Sequence, residues 1–210
     1  MTDETREAHL ETEWQEGKPV SNTSSIRYLN DRGVHVVIKN LKDPTDFKRH
    51  VTYYKEIVRQ GIRTPRILSI DKNTLKIKYQ AIGIENDADG VWSKTLVNYE
   101  YDQNKENANI DFLVRAIQYA LSEEWKDLHS GNILFHDGYL YLIDYVPGKG
   151  AHSIGSFGLQ KIEDEQQRRK LVEEKFDYLL EESFNRVNDP SIDDSGLNAL
   201  KQSVQLLHTY

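Results

Sequence analysis

The chain has 210 residues, with 27 Lys and Arg against 34 Asp and Glu and a formal charge of −7. A whole-protein electrostatic grip on nucleic acid is therefore not expected, because neutralising phosphates needs a basic face. There is no Cys, which excludes disulfides, thiolate metal sites and a Cys nucleophile, while 12 Tyr and a 10% aromatic share argue against a disordered chain.

In chain order, residues 1–14 (MTDETREAHLETEW) are acidic and carry no apolar run, and residues 1–16 read as a solvated arm or a loose first helix. Neither a basic start followed by an apolar stretch nor a window of ~20 apolar residues occurs, and a soluble protein of a reducing cytoplasm, without membrane contact, is the expectation. Residues 17–25 (GKPVSNTSS) are small or turn-forming and predict a loop. SIRYLN and VHVVIKN flank Asp31-Arg32-Gly33 and predict two strands joined by a tight turn. Asp43-Pro44-Thr45-Asp46 has the chemistry of a helix start: a capping Asp, Pro in the first turn and a further acid. Phe47, Val51, Tyr54 and Val58 then share one helical face, and Gly61 ends the helix. TPRILSI and TLKIKYQAI predict a second hairpin around Asp71-Lys72-Asn73.

The polar stretch 83–107 suggests no element from its pattern, only Trp92 and Tyr99 as anchors. Ile110, Leu113, Val114, Ile117 and Leu121 mark an amphipathic helix. A loop centred on Asp127 leads into NILF, His136-Asp137-Gly138 and YLYLIDY, a short hairpin whose second strand ends at Asp144. The apolar stripe from Leu171 to Val187 predicts a long helix that Asp189-Pro190 breaks, and Leu197, Leu200, Val204 and Leu207 mark a last one. Strands fill the first half and helices the second, an α+β pattern.

Chemistry concentrates between Trp125 and Gly150: Asp127, then Asn132 five residues on, then Asp144 twelve beyond that. Transfer of a terminal phosphoryl group needs a carboxylate at the attacking hydroxyl and hard oxygen ligands for magnesium, which keeps several of its waters. An Asp on a loop, an Asn entering a strand and an Asp leaving its antiparallel partner supply these parts. The bland alternative for this set is ordinary turn chemistry, since Asp and Asn favour turns.

Asp127-Leu128-His129-Ser130-Gly131-Asn132, followed by Tyr141-Leu142-Ile143-Asp144, resembles the catalytic and metal-binding loops of the protein-kinase-like superfamily. The Asp-x-His-x-Gly-Asn form is similar to that of aminoglycoside and choline phosphotransferases, and of short bacteriophage-encoded and bacterial effector kinases. The resemblance implies Asp127 as catalytic base, Asn132 and Asp144 as metal ligands, and ATP with Mg2+ as cofactors. Val36-Val37-Ile38-Lys39 resembles the Val-Ala-Ile-Lys strand of that superfamily, which implies a catalytic contact from Lys39 to ATP phosphates. VSNTSS, with Ser21 and Asn22, stands where a phosphate-covering loop belongs.

Trp125-Lys126-Asp127 and Asp144-Tyr145-Val146 depart from His-Arg-Asp and Asp-Phe-Gly, and no Ala-Pro-Glu follows. Constant activity or a switching partner is then expected rather than activation by loop phosphorylation. The implied architecture is a minimal bilobal protein-kinase-like fold, with an antiparallel-sheet small lobe and a reduced helical large lobe. It would comprise the arm 1–14, a nucleotide-covering lobe 15–82, a hinge or insert 83–104 and a catalytic lobe 105–210.

The partner of Lys39 stays open among Glu56, His50 and Asp46; at 100° per residue Glu56 lies opposite the apolar stripe. His129 reads either as an acid or base or as a structural loop histidine. About sixty residues follow Val146, little to wall off a small-molecule pocket, so a protein Ser or Thr is the expected acceptor (a host protein, in a host cytoplasm, for a phage or effector kinase). A small-molecule phosphotransferase and a nucleotide-binding pseudokinase that docks on a partner are the alternatives.

Overall fold

The computed structural model describes residues 24–31, 34–87, 90–123, 128–146, 164–186 and 195–207. The expected arm over 1–14 lies outside them. The fold is α+β and divides into two compact units, one taking residues up to Thr52 with Pro65–Ser93, the other Tyr53–Thr64 with the residues from Lys94 on.

The first unit is built on an antiparallel four-stranded sheet. Strands β1 (Ser24–Asp31), β2 (Val34–Leu41), β3 (Ile67–Asp71) and β4 (Lys76–Gln80) lie in the order β1-β2-β4-β3. Both expected hairpins are present. β2 is a central strand, with Lys39 opposite Ile26 on one side and Ile77 on the other. Helix α1 (Pro44–Arg59) begins where the Asp-Pro signal places it, with the Thr45 amide donating to Asp43 Oδ1 at 2.6 Å. Leu41, Phe47 and Ile77 form this unit's small core, with Val51, Ile67, Leu75 and Tyr79 against it.

The apolar stripe of α1 changes along its length. Val58, expected on the buried face, is 50% exposed, whereas Ile57 is fully buried. The reason is a change of packing partner: Phe47 belongs to the first unit's core, whereas Ile57, Tyr53 and Tyr54 pack with the second unit's. One repeat of spacings does not describe a helix whose two halves belong to different cores.

Residues 84–98, to which the sequence assigned no element, form a hairpin, β5 (Ile84–Asp87) with β6 (Gly90–Ser93), and a 3-10 turn at Leu96–Asn98. Tyr99 is buried as expected of an anchor.

The second unit centres on helix α2 (Glu106–Ser122), whose Ile110, Leu113, Ala116, Ile117 and Ala120 are buried at helical spacing. Against it lie the β7 (Ile133–His136) and β8 (Tyr139–Leu142) hairpin and helices α3 (Glu165–Arg186) and α4 (Ser195–Leu207). Phe176, Leu179 and Leu180 of α3 and Leu197 and Leu200 of α4 join the same core. No helix among the described residues is long and apolar enough to cross a membrane.

Gly196 lets α4 start hard against the chain after the Leu96 turn: a Cβ there would lie 1.9 Å from the Tyr99 carbonyl oxygen. Backbone cannot yield as a flexible side chain can. Gly196→Ala should therefore cost about 2–3 kcal/mol in urea denaturation, whereas Asn198→Ala, exposed on the same helix, should stay within about 0.5 kcal/mol.

Candidate active site

The β7–β8 hairpin positions the two expected metal ligands. Its ladder pairs Ile133 with Leu142 at one end, so Asn132 and Ile143 stand just beyond it. There the Ile143 amide donates to the Asn132 carbonyl at 2.9 Å. Asn132 is 7% exposed and closes a 3-10 turn over Ser130–Asn132. Asp144 follows Ile143 and is half-buried.

β8 itself ends at Leu142, two residues earlier than the sequence suggested, because Asp144 has φ +53°. In a continuing strand Asp144 would face the side opposite Asn132, since neighbouring pairs alternate. A left-handed residue breaks that alternation. For a non-glycine this conformation is uncommon, Asp and Asn tolerate it best, and such outliers cluster where function requires them.

The backbone around Asp144 is fixed on both sides. Before it, the Leu142 amide donates to the Arg63 carbonyl at 2.8 Å. After it, the Tyr119 hydroxyl donates to the Tyr145 carbonyl at 3.1 Å. Burial pushes the Tyr119 phenol far above its ordinary range, so it remains a donor at all working pH.

Residues 129–131 of the Asp-x-His-x-Gly-Asn loop are held by one of their own side chains and by one from α3. His129 caps the 3-10 turn, its Nδ1 accepting from the Gly131 amide at 3.1 Å. Of the two roles left open for His129, this is the structural one. Glu182, on α3, accepts from the Ser130 amide at 2.7 Å, and Ser130 is fully buried. A carboxylate accepting from a backbone N–H at this distance is a strong, charge-assisted tether.

Three residues missed by sequence reasoning support the hairpin. Arg63 donates to the Leu140 carbonyl (2.9 Å), the Ala108 carbonyl (3.0 Å) and Asn109 Oδ1 (3.0 Å). Asn109, fully buried, also accepts from the Leu140 amide (3.1 Å) and donates to the Gly138 carbonyl (2.8 Å). Lys105 Nζ donates to the Asp137 carbonyl at 2.6 Å. An Arg after a helix, an Asn among apolar helix positions and a solvated-looking Lys carry no motif. Only their convergence on one hairpin identifies them.

Lys39 lies two residues before the end of β2, half-buried, on the face it shares with Leu41 and Ile77. Of the carboxylates and imidazole considered as its partner, Asp46 accepts from Arg49 at 3.4 Å and His50 Nδ1 meets the Asp46 carbonyl at 2.9 Å. Glu56 accepts from Arg59 Nε at 2.9 Å and from Gln60 at 2.7 Å, and these bonds, Arg59's first, lower its carboxyl from 4.5 to about 2. A depressed folded value stabilises above the unfolded value and is lost as pH falls through the folded one. The difference in melting temperature between wild type and Glu56→Gln should therefore be present at pH 7 and shrink between pH 4.5 and 2.

Asp127, Ser21 and Asn22 lie outside the described residues. Among the described residues no cluster of three or more His, Cys, Asp or Glu is formed. One carboxylate and one carboxamide, both hard oxygen donors, suit magnesium, which takes few protein ligands and keeps its waters. The same pair would be a poor zinc site.

No family model and no curated protein sequence matches the chain. Solved structures similar to it include the choline kinase LicA from Streptococcus pneumoniae, at 12% identity over 99% of each chain and a TM-score of 0.39. The macrolide 2'-phosphotransferase MphH from Brachybacterium faecium is similar at 13% identity over 83% of each chain, with a TM-score of 0.37. A choline/ethanolamine kinase family protein from Mesorhizobium loti is similar at 11% identity over 97% of this chain and 92% of its own, with a TM-score of 0.38.

Proposed function

We propose that the chain is an ATP- and magnesium-dependent phosphotransferase acting on a hydroxyl. The observation that carries this reading is the end of the β7–β8 ladder. There Asn132, the last residue of the Asp-x-His-x-Gly-Asn motif, is bonded through its backbone to Ile143, the neighbour of a left-handed Asp144.

Asn132 and Asp144 are the residues that would hold magnesium. Bound there, magnesium would offset the charge that develops on the transferred phosphoryl group. Asp127 orients the acceptor hydroxyl and takes its proton as the oxygen attacks the γ-phosphorus and the bond to the ADP oxygen breaks. Lys39, with Ser21 and Asn22, is assigned to the ATP phosphates. Because this chemistry is mostly positioning, the backbone bonds on either side of Asp144 matter as much as the ligand itself.

The proposed acceptor is a protein Ser or Thr. What supports it is the use made of the helices after the hairpin: α3 and α4 place Phe176, Leu179, Leu180, Leu197 and Leu200 in the core that α2 also lines. Their apolar faces are thus engaged in the fold, and α3 also holds Ser130 through Glu182.

Labelled ATP, magnesium and a cell lysate, incubated with wild type or Asp127→Ala, test the reading. Protein bands labelled only by wild type are expected. Choline and a macrolide, the acceptors named for the similar structures, serve as probes in a second arm, and labelling confined to such small molecules would replace the protein acceptor. Magnesium-dependent nucleotide binding with no transfer to either would leave a docking pseudokinase.

A further inference from the structure

We propose that Arg63 is a positioning residue that sets the backbone at Asp144 by acting as a third strand beside β8. The link to catalysis rests on the reading of Asp144 as a magnesium ligand.

In a two-stranded hairpin one edge of β8 lacks a strand partner, and the groups on that edge recur at every second residue. Arg63 meets two of them in succession. Its guanidinium Nε donates to the Leu140 carbonyl at 2.9 Å, and its own carbonyl accepts from the Leu142 amide at 2.8 Å. Asn109 takes the remaining group of Leu140, accepting from its amide at 3.1 Å. From Leu142 the chain runs through Ile143, bonded to Asn132, directly into Asp144.

The guanidinium is fixed in its turn. Its Nη2 donates to the Ala108 carbonyl and to Asn109 Oδ1, both at 3.0 Å, and its Cζ lies 5.0 Å from the centre of the Phe112 ring and 5.1 Å from that of Tyr139. A half-buried cation loses hydration, and burial does lower this guanidinium's proton affinity. An apolar side chain of similar volume would fill the space but leave these acceptors without their donor. What the Arg supplies instead is direction, since its rigid fork reaches three acceptors on α2 and β8 at once, which a Lys cannot do.

The test uses Arg63→Lys, which keeps the charge and loses the fork, with Arg63→Gln as a second variant should the Lys protein be too unstable. Amide hydrogen exchange and calorimetric binding of a nonhydrolysable ATP analogue, with and without magnesium, are both read. The Leu142 and Ile143 amides should exchange about tenfold faster or more, while Phe112 to Ile117 in α2 stay within about twofold. The magnesium-dependent gain in nucleotide affinity should fall about tenfold, with magnesium-free affinity nearly unchanged.

Wild-type exchange at Leu142 and Ile143 in the variants would overturn the proposal. So would parallel loss of α2 protection and of both affinities, which would mark general loosening. If wild type itself shows no magnesium-dependent binding while β8 exchange still rises in the variant, the magnesium reading falls and the hold of Arg63 on β8 stands.

Discussion

Asp144→Asn should lower phosphoryl transfer by about a thousandfold while leaving the melting temperature close to that of wild type. The substitution keeps a residue that tolerates the left-handed backbone at φ +53° and removes only the charge. Asp144→Ala should lose as much transfer and also destabilise by about 1–2 kcal/mol, because a Cβ without a local hydrogen-bonding group is strained there. The pair of variants thus separates the ligand from the backbone geometry. Single-turnover assays and calorimetric nucleotide binding at increasing magnesium are the measurements. Asp127→Ala should retain magnesium-dependent binding better than either. Unchanged magnesium-dependent affinity in Asp144→Asn would remove this residue from the proposed metal site.

The second large effect concerns Asn109, which is fully buried and uses its whole hydrogen-bonding capacity. Oδ1 accepts from Arg63 and from the Leu140 amide, and Nδ2 donates to the Gly138 carbonyl and to the Tyr99 hydroxyl at 3.3 Å. Asn109→Leu has a similar volume but removes four hydrogen bonds, two of them, to the Leu140 amide and the Tyr99 hydroxyl, buried, so a loss of about 3–5 kcal/mol is expected in urea denaturation. That is a large fraction of a typical domain's stability. Asn109→Asp keeps both acceptor roles and loses two donated bonds, so a smaller loss is expected. A cost below about 1 kcal/mol for the Leu variant would show that apolar packing alone holds the hairpin on α2.

Much of the fold was legible because it rests on local pattern. The Asp43-Pro44 start of α1, the period of Ile110, Leu113 and Ile117, and the turn at His136-Asp137-Gly138 are each set by a few neighbouring residues. Residues 84–98 were not legible because their polar strands lack apolar alternation. Val58 misled because α1 serves two cores, and no single period describes both. At the candidate site, Asn132 and Asp144 stood out by spacing, and the hairpin brings both to one end of its ladder. The supports did not stand out. Arg63, Asn109, Tyr119 and Glu182 act through backbone groups of residues far away in sequence, and such bonds leave no trace in local composition.

The cap formed by His129 has a consequence for proton traffic. Because Nδ1 accepts the Gly131 amide, a neutral imidazole must carry its hydrogen on Nε2, the opposite nitrogen. The ring therefore has no lone pair to offer an incoming alcohol while the turn is intact. It can only donate. In the proposed reaction deprotonation would then fall to Asp127, and the nitrogen chemical shifts of the His129 side chain should report the Nε2–H tautomer.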